Sequence, residues 1–144
     1  MSTYLLNANV LLAVLDPAHT QHESAFSWFD SVGRMSFATC PIVENGVVRI
    51  ASSAAYPNRP GNAELVRSIL AHPCAARGHT FWSDDLSIRA ISTASEQLSS
   101  NRVTDFYLLA LALGHGGRLV TFDQKIPAAA LPGGRDAMLL LLPT

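Results

Sequence analysis

Cysteine is scarce: Cys40 and Cys74 are the only two in 144 residues. They are too few for a disulfide scaffold and too far apart for a CxxC redox or zinc pair, so a reducing cytosol is the expected compartment. Long apolar runs are missing as well. The longest, Phe106 to Leu113, falls far short of the roughly 18 residues that span a bilayer, and no basic segment precedes the first apolar stretch, which excludes membrane insertion and secretion. There is no excess of either charge. Ten basic and eleven acidic residues leave a formal charge of -1, so the chain does not grip nucleic acid by bulk positive charge, although nucleic acid stays open as a substrate. Lysine is nearly absent, since all basic residues but Lys125 are arginine; that bias suits bidentate contact with phosphate or carboxylate and equally fits a GC-rich genome. No GxGxxG, GxxxxGK[ST] or GxSxG run occurs, which removes the common nucleotide cradles and the serine-hydrolase elbow.

What is present is a chain that can bury a core. Hydrophobic residues make up 49% and charged ones 15%, which excludes intrinsic disorder and points to one domain over residues 1–144, with no repeat or linker to divide it. Tyr4-Leu5-Leu6 reads as a strand, Asn7-Ala8-Asn9 as a polar turn and Val10 to Leu15 as a helix. A helix over Thr20 to Val32 ending at Gly33, a strand at Ser36 to Thr39 and a helix from Pro41 to Ala51 follow. After the loop Ser52 to Asn62 come a helix at Ala63 to Ala71, a strand at His79 to Trp82 and an N-cap cluster, Ser83-Asp84-Asp85, for a short helix from Leu86. Val103 to His115 is the clearest helix, capped by Thr104 and ended by the Gly114 to Gly117 run; strands at Arg118 to Phe122 and Ala137 to Leu142 close the chain. Strands alternating with helices imply an α/β fold with a parallel sheet covered on both faces.

Ligands of such sheets bind beyond the carboxyl ends of the strands. Asn7 follows the first strand, Glu44 lies one turn into the helix after the second, Asp105 opens the helix before the fourth, and Asp123 follows the fourth. Singly, each acid is explained by a helix dipole or a turn. Together, three carboxylates and an amide at one sheet edge form an oxygen-rich set suited to a hard cation, and acids so crowded repel one another without one.

The runs Tyr4-Leu5-Leu6-Asn7-Ala8-Asn9-Val10-Leu11-Leu12, Thr39-Cys40-Pro41-Ile42-Val43-Glu44-Asn45-Gly46, Val103-Thr104-Asp105-Phe106-Tyr107-Leu108-Leu109-Ala110 and Thr121-Phe122-Asp123 resemble a PIN-domain ribonuclease, above all the VapC toxins of VapBC toxin–antitoxin pairs. The order and spacing match over nearly the whole chain, and Phe81-Trp82-Ser83-Asp84-Asp85-Leu86 also fits. The resemblance implies a three-layer α/β/α sandwich around a central parallel sheet. It implies a metal-dependent endoribonuclease in which acids hold Mg2+ or Mn2+ to activate water and stabilise the leaving oxygen. The family's metal and catalytic positions fall on Asn7, Glu44, Asp105 and Asp123, with Asn9 and Thr39 at small polar positions beside them that can orient Asn7 or a metal-bound water and are equally explained by local capping. It further implies an RNA substrate, a homodimer, and a VapB-type antitoxin seated near the N-terminal helices and the Ser52 to Ala71 region.

Asn7 departs from the family, which has an Asp there. An amide oxygen can ligate a cation but brings no charge and cannot act as a base, so weak metal binding and little or no cleavage are expected. Since the other motifs are intact, the isosteric exchange reads as a deliberate silencing substitution rather than decay of the site. The same residue supports a rival reading, a non-catalytic PIN-fold module that binds RNA or a partner protein. A third reading is a metal-dependent hydrolase of small phosphate esters. His19 and His22 have metal-compatible spacing but no further ligand, and His72, His79 and His115 are scattered, so none receives a catalytic role. Asp84 and Asp85 are left to helix capping, and Arg49 and Arg102 are candidates for guiding RNA phosphates.

Overall fold

A computed structural model of the chain describes residues 2–91 and 98–142. Five strands, β1 (Tyr4–Leu6), β2 (Phe37–Thr39), β3 (His79–Phe81), β4 (Arg118–Thr121) and β5 (Met138–Leu140), form one parallel sheet in the order β3-β2-β1-β4-β5. Five helices, α1 (Ala8–Leu15), α2 (His22–Ser31), α3 (Pro41–Ala51), α4 (Ala63–Cys74) and α5 (Val103–Gly114), complete a three-layer α/β/α arrangement. The expected fold class is therefore the observed one.

The short strands are apolar because parallel strands between helical layers are buried on both faces. Leu5, Leu6, Phe37, Ala38, Leu119 and Val120 are wholly inaccessible to solvent. Phe37 anchors the layer between them, its ring edge-on to Phe29 at 5.0 Å and tilted against His79 at 5.2 Å. Helix α5 is buried around its whole circumference, Phe106 through Ala112, rather than along the single face that its spacing suggests. It packs on both β1 and β4, and a helix apolar all round belongs inside.

Several boundaries differ from the sequence reading, each for a physical reason. There is no polar turn at residues 7–9: α1 starts at Ala8, and the Asn7 carbonyl accepts the first helical bond from the Leu11 amide at 3.0 Å. Thr104 lies inside the first turn of α5 rather than capping it, because a 3-10 turn over Ser100–Arg102 feeds straight into the helix. The Ser83 to Asp85 cluster caps no α-helix. The segment continues to a 3-10 turn, Ile88–Ala90, capped by the Ser87 hydroxyl, which accepts from the Arg89 amide at 3.2 Å; residues 92–97 lie outside the described ones. Gly33 does not end α2 by a left-handed turn. It is needed because a Cβ there would lie 2.6 Å from the Trp28 ring. Gly116, at φ 69°, does supply the left-handed residue after α5.

Beside α1, the segment after α3 returns to the body through Tyr56, whose hydroxyl donates to Asp16 Oδ2 at 2.6 Å. Burial alone would raise the Asp16 carboxyl, but the bonds from Tyr56, the Ala18 amide and Asn58 outweigh it and hold the group below its ordinary value. A depressed carboxyl stabilises the fold at neutral pH and loses that contribution as pH falls through its folded pKa. Tyr56→Phe is thus expected to cost about 0.5–1.5 kcal/mol at pH 7 and less at pH 3, read by urea unfolding at the two pH values. An equal loss at both would remove the role of the Asp16 charge.

Candidate active site

The strand order reverses direction at β1: β2 and β3 lie on one side of it and β4 and β5 on the other. A crevice at such a point is where parallel sheets hold ligands. Register fixes what lines it. Leu6 is level with Val120, so the next residues, Asn7 and Thr121, emerge side by side, and the Asn7 amide donates to the Val120 carbonyl at 3.0 Å.

Asn7 occupies the N-cap position of α1 but makes no side-chain cap, unusual for a residue type that caps so well. Its amide is committed elsewhere. Nδ2 donates to Asp105 Oδ1 at 2.9 Å and, more weakly, to Thr121 Oγ1 at 3.5 Å. Asn7 is 6% exposed and Thr121 1%, so these bonds form where water cannot replace them. Thr121 also accepts from the Asp123 amide at 3.0 Å, which sets the last acid beside the pair. Asp123 pairs with Arg102 and accepts from the Lys125 amide at 2.8 Å. Of the expected set, then, Asn7 bonds Asp105 directly and is linked through the Thr121 hydroxyl to the backbone of Asp123.

Glu44 does not join them. From the first turn of α3 its Oε2 accepts from the Thr39 hydroxyl at 2.6 Å, and the same hydroxyl lies 2.7 Å from His79 Nε2. Thr39 thus holds Glu44, rather than Asn7, toward β3 and α4. Asn9 is exposed, and among the described residues no hydrogen bond links its side chain to Asn7. Carboxylate repulsion is relieved by protein groups: an amide serves Asp105, a guanidinium Asp123 and a hydroxyl Glu44.

The oxygen chemistry of Asn7, Asp105 and Asp123 fits a hard divalent cation. The arrangement in this chain does not offer it a seat, because an amide NH2 faces Asp105 where an oxygen would be required. A pocket of about 310 Å3 opens beside Asn7, lined among others by Ile42, Asn45, Gly46, Arg49 and Thr104, which places Arg49 at the mouth of the site. Cys40 is no nucleophile: burial pushes its thiol up to about 11.

Sequence reading missed Thr121 and the pairing of Arg102 with Asp123. Thr121 stands two residues before Asp123, a spacing that could have flagged it; no local signal links Arg102 to an acid twenty-one positions on. His79 carries no sequence signal for a role, yet the structure seats it beside Glu44.

Comparison with known proteins bears on this geometry. The family model for the PIN domain matches residues 4–131. Ribonuclease VapC44 of Mycobacterium tuberculosis is 42% identical over 140 residues, covering 96% of this chain and 98% of that protein. Ribonuclease VapC39 of the same organism is 40% identical over 133 residues, covering 91% and 96%. Among solved structures, VapBC2 from Rickettsia felis bound to a DNA fragment from its promoter aligns with a TM-score of 0.61 over 96% of this chain and 98% of that one, at 14% identity; this likeness concerns the fold.

Proposed function

The chain belongs to the PIN-domain family, and from that premise we propose that it is a VapC-type endoribonuclease toxin, one PIN domain over residues 1–144, whose active site is Asn7, Glu44, Asp105 and Asp123. The observation that carries the reading is the hydrogen-bonded chain from Asp105 through Asn7 and Thr121 to Asp123 at the point where the strand order reverses. With a carboxylate at position 7, these residues and Glu44 would hold Mg2+ or Mn2+, which supplies an activated water and stabilises charge on the leaving oxygen. As written, the chain binds the cation weakly and cleaves little. The Asn7 NH2 donates a hydrogen bond to Asp105 where an oxygen is needed to share a cation with it, and Glu44 must turn from Thr39 to take part.

The deciding experiment compares the chain with its Asn7→Asp form, both free of antitoxin, on total RNA with Mg2+, Mn2+ or a chelator. Cleavage by Asn7→Asp only with metal supports the reading. A second reading, a non-catalytic module, is favoured by the same hydrogen bonds, which satisfy every acid without a cation; RNA binding that ignores metal, with no cleavage by either form, would establish it.

The partner reading rests on the other side of α1. An apolar pocket of about 300 Å3 between α1, α3 and α4 is lined by Leu12, Leu15, Val47, Tyr56, Val66 and Ile69, in the region where a VapB-type antitoxin segment is expected. It suits a hydrophobic stretch of a short peptide. We read the chain as homodimeric and cytoplasmic; among the described residues no helix is long and apolar enough to cross a membrane.

Arg49 at the mouth of the site is placed to meet an RNA phosphate. Arg49→Ala is expected to weaken RNA binding and to reduce the salt slope of log K by about 0.7, one phosphate contact on a single strand. Binding measured by fluorescence anisotropy at several salt concentrations checks it, and an unchanged slope would remove Arg49 from the RNA path.

A further inference from the structure

Glu44, Cys74 and His79 come from three separate elements, the first turn of α3, the last turn of α4 and the start of β3. Their ligand atoms nevertheless lie within 4.8 Å of one another. Cys74 Sγ stands 4.0 Å from Glu44 Oε2 and 4.0 Å from Thr39 Oγ1. The Thr39 hydroxyl, wholly buried, ties the carboxylate and the imidazole to one point at 2.6 and 2.7 Å. We propose that Glu44, Cys74 and His79 form a second cation site, selective for Zn2+ or a similar thiolate-binding divalent ion and sharing Glu44 with the proposed catalytic set.

Donor chemistry sets the selectivity. A sulfur, an imidazole nitrogen and one carboxylate oxygen make a tetrahedral zinc set with a fourth position left for water, whereas Mg2+ and Mn2+ prefer oxygen throughout. Ligand bonds of about 2.0–2.3 Å place tetrahedral donors roughly 3.3–3.6 Å apart. The three side chains therefore close by an ångström or so, within the reach of small rotations. The fourth position has an entrance, a surface pocket of about 390 Å3 lined by Glu44, Cys74, Asn45, Val48 and Leu70. On binding, the Cys74 thiol gives its proton to solvent and the imidazole binds through Nε2.

Occupancy has a consequence that rests on the proposed nuclease. A cation here holds Glu44 in the orientation seen, turned from Asn7 and Asp105, so zinc competes with assembly of the catalytic set and acts as an inhibitor.

Co2+ is the probe, added to the full-length reduced chain after metal removal. A thiolate-to-cobalt charge-transfer band with strong visible absorption is expected, displaced by Zn2+ and not by Mg2+. Cys74→Ser abolishes the charge-transfer band, and Cys40→Ser leaves it intact. His79→Gln weakens Co2+ binding by more than the roughly 10–100-fold that follows loss of an outer-sphere partner. Circular dichroism of each variant separates lost binding from lost fold. No charge-transfer band in the folded parent chain, or a band that survives Cys74→Ser, overturns the site. In the Asn7→Asp background, Zn2+ is expected to inhibit cleavage and Cys74→Ser to relieve it. An Asn7→Asp chain that shows the cobalt band but neither cleavage nor a Mg2+-induced thermal shift would defeat the nuclease reading and leave the zinc site standing.

Discussion

Asn7→Asp is expected to raise metal-dependent RNA cleavage on the order of 100-fold to 1000-fold, the scale on which one charge-stabilising group usually acts. The single-atom exchange does three things at once. It removes the NH2 that donates to Asp105 at 2.9 Å, substitutes an oxygen that can bind a cation, and adds a charge at a position only 6% exposed. Two carboxylates roughly 4 Å apart repel by about 4 kcal/mol at an effective dielectric of 20. Without a cation the variant is therefore expected to be less stable than the parent. Mg2+ or Mn2+ then restores stability, since a ligand that binds only the folded form raises its melting temperature with concentration. Two readouts follow: RNA cleavage on a gel, and a metal-induced rise in melting temperature present in Asn7→Asp and nearly absent in the parent. A variant that shows neither would show that position 7 does not control a metal centre. One that shows the thermal shift without cleavage would place the defect at Glu44, still held by Thr39.

Phe37→Ala carries the largest expected effect on stability. The side chain is fully buried on β2 and contacts rings on α2 and β3, Phe29 and His79. Truncation of a buried Phe costs about 3–5 kcal/mol through lost transfer energy and the cavity left behind. That is a large part of the roughly 5–15 kcal/mol that holds a domain together. At roughly 2–4 °C per kcal/mol for a chain of this size, the melting temperature should fall by about 6–20 °C. Urea unfolding followed by circular dichroism gives the free energy directly. A loss below about 1 kcal/mol would mean that neighbouring side chains collapse into the space and that the layer between sheet and helices is softer than its burial implies.

The elements most legible in the sequence were those whose cause is local. Alternation of short apolar strands with helical segments gave the α/β class, and Pro41, Gly116 and the apolar run at Phe106 mark ends and cores through their own backbone or side-chain chemistry. Where a cap or turn was expected from residue type alone, the reading failed in an instructive way. Asn7 has the side chain of a good N-cap and sits at the cap position, yet it bonds Asp105, 98 positions away. Ser83 to Asp85 has the composition of a cap and caps no helix, and Gly33 is small because of Trp28 rather than for its backbone freedom.

The candidate site divides in the same manner. Sequence by itself determined which acids exist, that each lies next to a strand or at a helix start, and that position 7 carries an amide where the resembling family has a carboxylate. Only the tertiary structure decided which of them meet. Strand register puts Asn7 level with Thr121, and the approach of α5 brings Asp105 to that pair, whereas Thr39 and the end of α4 draw Glu44 toward Cys74 and His79. Periodicity reports which face of an element is buried; it carries no information on the partner across the gap, because that choice is made by the packing of elements distant in sequence.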